Sequence, residues 1–230
     1  MAGPGSKVWM YNSCDMSALK VFEIYHSVQG ESTHAGRKCV FIRLAGCNLS
    51  CSYCDSAEAA SGHGAEMSVQ QILEKVRALG VRLVEVTGGE PLIQPEVGAL
   101  LTALLDAGFE TLVETNGTTP IDRFDRRAKY IMDIKTPGSG AGGSFMEENL
   151  EALSDRDEVK FVITSKEDFD WAARMMERWN PSRRIAVLLS PAQGKVAPRR
   201  LAEWLLESDI DARLNLQLHK IIWGPEATGV

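Results

Sequence analysis

The chain has 230 residues, a formal net charge of −6, and 44% hydrophobic and 24% charged residues. That is enough chain for one sizeable core, and the acidic balance speaks against a nucleic-acid surface, whose phosphates it would repel. No apolar run approaches the ~20 residues of a membrane-spanning helix, no basic-then-apolar leader opens the sequence, and five cysteines, three of them crowded together, do not read as a disulfide framework. A reducing cytoplasm is the expected compartment.

Residues 1–16 read as an N-terminal extension, disordered or added, in which Cys14 has no role; residues 17–230 read as a single domain. Strands are predicted over 38–44, 83–87, 111–115, 130–135, 159–163, 185–190 and 213–218. Several are near-continuous apolar runs, as strands covered on both faces are. Helices fall between them. Ser68 and Gln71 form a capping box that opens one ending at Gly80. A second runs from Pro95 to Gly108, and 166–179 and 197–207 are amphipathic. Alternating strand and helix with short connections argue a parallel α/β sheet. Seven strands suit a partial or modified β/α barrel, with a doubly wound open sheet as the alternative. The stretch 136–144 is too glycine-rich for regular structure and reads as a loose loop or a lid over a site.

Chemistry enters directly after the first predicted strand. Cys47-Asn-Leu-Ser-Cys51-Ser-Tyr-Cys54 spaces three thiols as C-x3-C-x2-C with no fourth nearby. Thiolates suit iron–sulfur clusters or zinc, and a closed structural site wants four ligands. Three leave one metal corner open for a small molecule. In β/α folds, the loops at the carboxyl ends of strands carry the active site. Tyr53, between the last two cysteines, could shield a cluster or stack on a ligand's ring. A second motif, Thr87-Gly-Gly-Glu-Pro91, ends the next strand. Gly88 and Gly89 would let a ligand approach the backbone, and Glu90 offers acceptors for an ammonium group.

With both motifs in place, the chain resembles the radical S-adenosylmethionine superfamily. The resemblance implies a [4Fe–4S] cluster on Cys47, Cys51 and Cys54, with the open iron chelated by the amino and carboxylate groups of S-adenosylmethionine. Further residues, Ser27-Val-Gln-Gly-Glu31, Arg43, Cys54-Asp-Ser56 and Gln217-Leu-His-Lys220, are similar to those of the 7-carboxy-7-deazaguanine synthase family, from about residue 20 to the end. That resemblance implies radical-mediated ring contraction of 6-carboxy-5,6,7,8-tetrahydropterin with loss of ammonia, in queuosine-type 7-deazapurine nucleoside biosynthesis. It implies a magnesium requirement and catalytic, regenerated S-adenosylmethionine. The expected partners are the pterin, an electron donor such as flavodoxin or ferredoxin, and a second copy in a homodimer, with neither nucleic acid nor membrane.

Residue by residue, it implies substrate contacts from Val28, Gln29, Gly30, Glu31, Arg43, Thr87, His219 and Pro225, with Glu31 and His219 as the catalytic pair. It places Ser56 on magnesium and S-adenosylmethionine against Tyr53, Cys54, Asp55, Gly88, Gly89, Glu90, Asn116, Asp133, Ile134, Lys135, Ser190, Pro191, Ala192 and Gln193. Gln29 and Glu31 match a pterin's donor and acceptor edge. Arg43, odd in an apolar strand, has a substrate carboxylate or an internal salt bridge as its partner. His219 is expected on the last strand. Two departures stand out: Ser32 replaces a family glycine, and the chain runs past Pro225, where some members end. A radical activase acting on a glycine of a partner protein would share the cysteine and Gly-Gly-Glu motifs but leave Gln29, Glu31 and His219 unexplained. A non-enzymatic iron–sulfur carrier would saturate its cluster with four ligands.

Overall fold

The computed structural model describes residues 18–179, 185–224, 227 and 229. The 1–16 extension, Cys14 and Pro225 lie outside the described residues. Among the described residues nine strands form one sheet, β1 (Leu19–Val28), β2 (Lys38–Leu44), β3 (Ala65–Met67), β4 (Leu83–Gly88), β5 (Glu110–Thr115), β6 (Lys129–Asp133), β7 (Glu158–Ile163), β8 (Ala186–Pro191) and β9 (Arg213–Leu214). Their order is β3-β1-β2-β4-β5-β6-β7-β8-β9, with β1 antiparallel to β2 and β3 and every later neighbour parallel.

The helices are α1 (Ala57–Ala60), α2 (Val69–Leu79), α3 (Val97–Asp106), α4 (Glu148–Ala152), α5 (Lys166–Arg178), α6 (Pro198–Leu206) and α7 (Leu218–Trp223). The capping box of α2 is present, with Gly80 in the left-handed region at φ 68°. Ser165 caps α5 by accepting from Asp168 N, and Pro198 opens α6.

Alternation along the strands sorts the two faces of the sheet. Val40, Ile42 and Leu44 of β2, with Val84, Val86, Val113, Met132, Val159, Phe161 and Leu189, meet Ile72, Val76, Leu100, Leu101, Leu104, Phe169 and Leu201 of the helices in the main core. The other face carries a smaller apolar patch of Cys39, Phe41, Leu83, Leu112 and Ile131, and above it the charged residues of the site.

The sheet is open between its edges, yet strongly curled. The β1–β2 turn touches β7, five strands away: Thr33 N donates to Glu158 Oε1 at 3.1 Å, and Lys160 Nζ lies 2.9 Å from Glu31 Oε2. In a flat sheet those strands would stand roughly 24 Å apart. The same turn reaches the amino ends of β5 and β6 through Arg37–Glu110 and Lys129–Thr33, so it floors the barrel. Residues 215–220 bridge the open side, with Leu218 N donating to Gly30 O at 2.9 Å and Asn215 N to Leu189 O at 2.8 Å. The partial β/α barrel is therefore the fold.

Two expectations are corrected here. The last strand is only Arg213–Leu214, and His219 stands on helix α7. A short run such as Leu-His-Lys-Ile-Ile-Trp has no period that separates strand from helix. β1 and β3 add two antiparallel strands to the predicted seven. No helix among the described residues is long and apolar enough to cross a membrane.

Candidate active site

Three strand ends brace the cysteine loop that follows β2. At β4, Glu90 N donates to Gly46 O at 2.9 Å. A Cβ on Gly89 would stand 2.2 Å from that same oxygen, and one on Gly88, whose φ is 146°, would stand 2.0 Å from Leu44 O. The Gly-Gly pair thus first admits the chain's own backbone. At β5, Asn48 accepts from Asn116 Nδ2 at 3.0 Å and donates to Thr118 Oγ1 at 2.8 Å. At β6, Ser52 N and Oγ donate to Ser139 O and Gly138 O at 2.8 and 3.1 Å. The glycine-rich turn behind Ser52 is itself held by Asp168, which accepts from Thr136 Oγ1 (2.9 Å), Gly138 N (2.8 Å) and Thr164 N (3.1 Å). It is a braced turn rather than a loose one.

Glu90 is turned inward. Its Oε1 accepts from Leu92 N and Thr115 Oγ1 at 3.0 and 2.8 Å, and its Oε2 from Asn116 N at 2.6 Å. Full burial pushes its carboxyl up to about 7 against those hydrogen bonds. Its visible work is to tie the end of β4 to the end of β5.

Cys47 and Cys51 are half-buried, and Cys54 is exposed. Burial pushes the first two thiols up, as bare cysteines in such a place require. Among the described residues no three His, Cys, Asp or Glu side chains converge on a single metal ion. A cubane takes each thiolate on a different iron, so its ligands stand around it rather than meet. The donor set, three thiols on one braced loop at a strand end, fits a cluster with one free corner. Beside the loop, two buried polar atoms, Tyr53 OH and Asp133 Oδ1, have no partner among the described residues, which suits a bound polar molecule. Lys135 pairs with Asp133 at 2.9 Å and lies 5.7 Å from the Tyr53 ring centre.

Of the other expected cofactor contacts, Ile134 and Ala192 are buried, Ser190 Oγ accepts from Asn215 Nδ2 at 2.8 Å, Pro191 ends β8, and Gln193 is exposed.

Below the loop the inner face is charged. Lys160 Nζ contacts Glu31 Oε2 at 2.9 Å, Glu114 Oε1, and Asp133 Oδ2 at 3.4 Å. Burial pulls this ammonium towards neutrality, but the three carboxylates outweigh it and hold it protonated. Burial likewise opposes ionisation of Glu31; Lys160 and the Gln217 amide win and keep its carboxyl below the usual range. Gln217 Nε2 bridges Glu31 Oε1 (2.6 Å) and Asp55 Oδ2 (3.2 Å), and Lys220 Nζ pairs with Asp55 at 2.8 Å. Gln29 is buried; it donates to Glu85 and accepts from Glu31 N at 3.0 Å, so it sets the pose of Glu31. Thr87 Oγ1 donates to Glu114 Oε2 at 3.2 Å. Among the described residues no cation is in contact with Glu85. Burial, then the nearby Glu114 and Glu31 charges, push its carboxyl up to about 8.

Arg43 does have an internal salt bridge, Nε to Glu23 at 2.9 Å, while Nη2 and Nη1 donate to Tyr25 OH (3.0 Å) and Ser56 Oγ (3.2 Å). Ser56 Oγ also lies 3.3 Å from Asp55 Oδ1. Val28 ends β1. Gly30 faces His219, whose imidazole burial pushes down, against the pull of Glu31. Ser32, where the family glycine stands, has φ 63°, a left-handed conformation that glycine adopts more cheaply.

Sequence reasoning overlooked Glu85, Lys160, Tyr25 and the bracing roles of Asn48 and Asp168. One signal was available for two of them. Glu85 and Lys160 interrupt apolar strands at the same alternation phase as Arg43, which is the mark of a polar inner face.

Three comparisons bear on this arrangement. The model of the radical SAM superfamily matches residues 41–182. A 7-carboxy-7-deazaguanine synthase of Koribacter versatilis is 41% identical, over 92% of this chain and 100% of its own. Another, of Chlorobaculum tepidum, is 42% identical, over 92% of this chain and 97% of its own. The crystal structure of QueE from Escherichia coli superposes with a TM-score of 0.73 at 22% identity, covering 90% of this chain and 99% of that one, which shows the common fold. A curled half-open sheet with three cysteines at its first parallel strand end defines a radical enzyme, and the chain belongs to the radical SAM superfamily and, within it, to the 7-carboxy-7-deazaguanine synthase family. Membership of the superfamily implies a [4Fe–4S] cluster and S-adenosylmethionine.

Proposed function

We propose that this protein contracts the ring of 6-carboxy-5,6,7,8-tetrahydropterin to 7-carboxy-7-deazaguanine with loss of ammonia. The observation that carries the reading is one charged cluster: Glu31 and Glu114, acceptors for a pterin's N–H edge, share Lys160, Gln217 ties Glu31 to Asp55 beside the last cysteine, and the guanidinium of Arg43 reaches Ser56 next to it. The full-length relatives of that name support it.

Cys47, Cys51 and Cys54 hold the cluster in this reading. When bound, the cluster and S-adenosylmethionine supply a one-electron cleavage that yields a 5′-deoxyadenosyl radical. The chain's own residues bind, orient and exclude water. Tyr53, Asp55, Asp133 and Lys135 face the cofactor, with Gly88, Gly89, Asn116 and the 190–193 turn completing its rim. Glu90 acts from beneath by fixing Asn116. Glu31, kept ionised by Lys160, accepts from the pterin; Gln29 and Gly30 set its pose and that of His219. Arg43 exchanges part of its present bonding for the substrate carboxylate, a charge-assisted pairing. Ser56 would offer a hydroxyl to a magnesium ion, with Asp55 as the neighbouring carboxylate. His219, neutral near pH 7, is poised to take a proton as ammonia departs. A flavodoxin or ferredoxin as reductant, a homodimer and a cytoplasmic setting belong to the same proposal.

The test is turnover of the carboxypterin by reconstituted protein with S-adenosylmethionine, magnesium and a reductant. The 7-deazapurine chromophore is the expected result. Cofactor cleavage with no new chromophore at any substrate concentration would remove this function.

A further inference from the structure

Lys160 is the residue whose placement asks most for a reason. It lies on the inner face of a central strand with 6% of its side chain exposed. Taking an ammonium out of water costs several kcal/mol unless partners compensate. Here the partners come from three separate elements: Glu31 from the floor turn, Glu114 from β5 and Asp133 from β6. Each carboxylate also has a second tie or a free oxygen. Glu31 Oε1 accepts from Gln217, Glu114 Oε2 from Thr87, and Asp133 leaves Oδ1 unpaired. Lys160 therefore joins Glu31 and Glu114, assigned above to the substrate, to Asp133, assigned above to the cofactor. An apolar side chain in that strand would serve the fold at lower cost, since a buried ion pair is weak evidence of stability.

We propose that Lys160 is a positioning residue for ring contraction. It holds Glu31 and Glu114 in place as acceptors for the pterin and ties them to Asp133, so that bound substrate stands in register with bound cofactor. The inference rests on the substrate assignment above. It separates two effects that a merely structural lysine would not separate. Removing the ammonium should weaken the pterin and loosen registration, while the cofactor keeps Tyr53, Asp55 and Lys135.

The test compares wild type, Lys160→Met, Lys160→Arg and the charge-balanced Lys160→Met/Glu114→Gln, each reconstituted. It reads substrate KM and kcat, S-adenosylmethionine affinity by equilibrium binding, and 5′-deoxyadenosine released per product formed. For Lys160→Met the expected result is a KM raised roughly tenfold or more, cofactor affinity within about twofold, and abortive 5′-deoxyadenosine per product raised roughly fivefold or more. Lys160→Arg should recover most of the substrate affinity, because it keeps the charge. Should Lys160→Met not fold, the double variant carries the test beside Glu114→Gln alone: an abortive ratio raised beyond that of Glu114→Gln supports the proposal, and an equal ratio overturns it. Wild-type KM and ratio in a folded Lys160→Met or double variant overturn it. So does equal loss of substrate and cofactor affinity, or failure of both variants to fold, either of which makes Lys160 structural. A wild type that makes no 7-carboxy-7-deazaguanine sinks the substrate assignment and this inference together, and so is told apart from failure of the inference alone.

Discussion

A Cβ placed on Gly30 would lie 2.2 Å from Nδ1 of His219. The imidazole occupies the space that the glycine leaves, and Leu218 N bonds Gly30 O beside it. Gly30 matters here for room. The floor turn and α7 thus meet at one point, which sets the position of His219. Gly30→Ala should displace the ring and mimic His219→Ala. Both should lower kcat/KM for the carboxypterin roughly tenfold to a hundredfold, the size of one lost buried polar contact, with S-adenosylmethionine binding unchanged. Steady-state kinetics beside equilibrium cofactor binding check it; equal losses for both ligands would assign the pair to the fold.

Asp168 should govern the cysteine loop from a distance. Its carboxylate holds the 136–140 turn, and that turn holds Ser52. Asp168→Ala leaves several buried donors without partners, at about 1–3 kcal/mol each. The expected outcome is a lower unfolding midpoint together with lower iron content after anaerobic reconstitution. Cys51→Ala should lose the cluster outright, whereas Cys39→Ala, altering a buried thiol in the lower apolar patch, should leave iron content at the wild-type level.

The carboxyls of Glu85 and Glu90 are pushed up by burial to about 8 and about 7, above the unfolded value near 4.3. The folded state then holds more protons than the unfolded state between those limits. Stability from these groups is fully present below the unfolded value and is lost as pH rises through 7 to 8, at up to about 1.4 kcal/mol per pH unit for each group. Urea unfolding of the cluster-free protein from pH 5 to 9 should therefore show Glu85→Gln losing less stability than wild type on the alkaline side. Parallel curves would mean that Glu85 is ionised throughout.

Magnesium should accelerate turnover, and Ser56→Ala should weaken that dependence only in part, because waters and substrate oxygens remain as ligands. Magnesium titration of the initial rate reads it, with iron content as the control. Identical curves for both proteins would shift the assignment to Asp55.

The parts of the fold most legible in sequence are those where one force dominates. The apolar runs of β4, β5 and β7 are buried on both faces, and Ser68 with Gln71 marks the start of α2 by local hydrogen bonding alone. β1 was missed because Lys20, Glu23 and His26 break its apolar pattern; its partners β2 and β3 supply what composition does not. The cysteines were legible because their spacing is itself the chemistry. The charged interior was not. Glu85 and Lys160 each look like an isolated exception in a strand, and only curling of the sheet brings β7 against the floor turn, where Lys160 meets Glu31 and Glu85 meets Gln29. Glu90 illustrates the converse: the motif is plain in sequence, but whether its carboxylate faces a ligand or the core depends on tertiary contacts.

The most direct measurement is a single reaction of the reconstituted protein with 6-carboxy-5,6,7,8-tetrahydropterin, in which 7-carboxy-7-deazaguanine, ammonium and 5′-deoxyadenosine are quantified together. The account predicts product and ammonium in equal amounts, with 5′-deoxyadenosine far below either because the cofactor is regenerated. Stoichiometric 5′-deoxyadenosine without ammonium, or with a product that keeps the pterin ring, would contradict it.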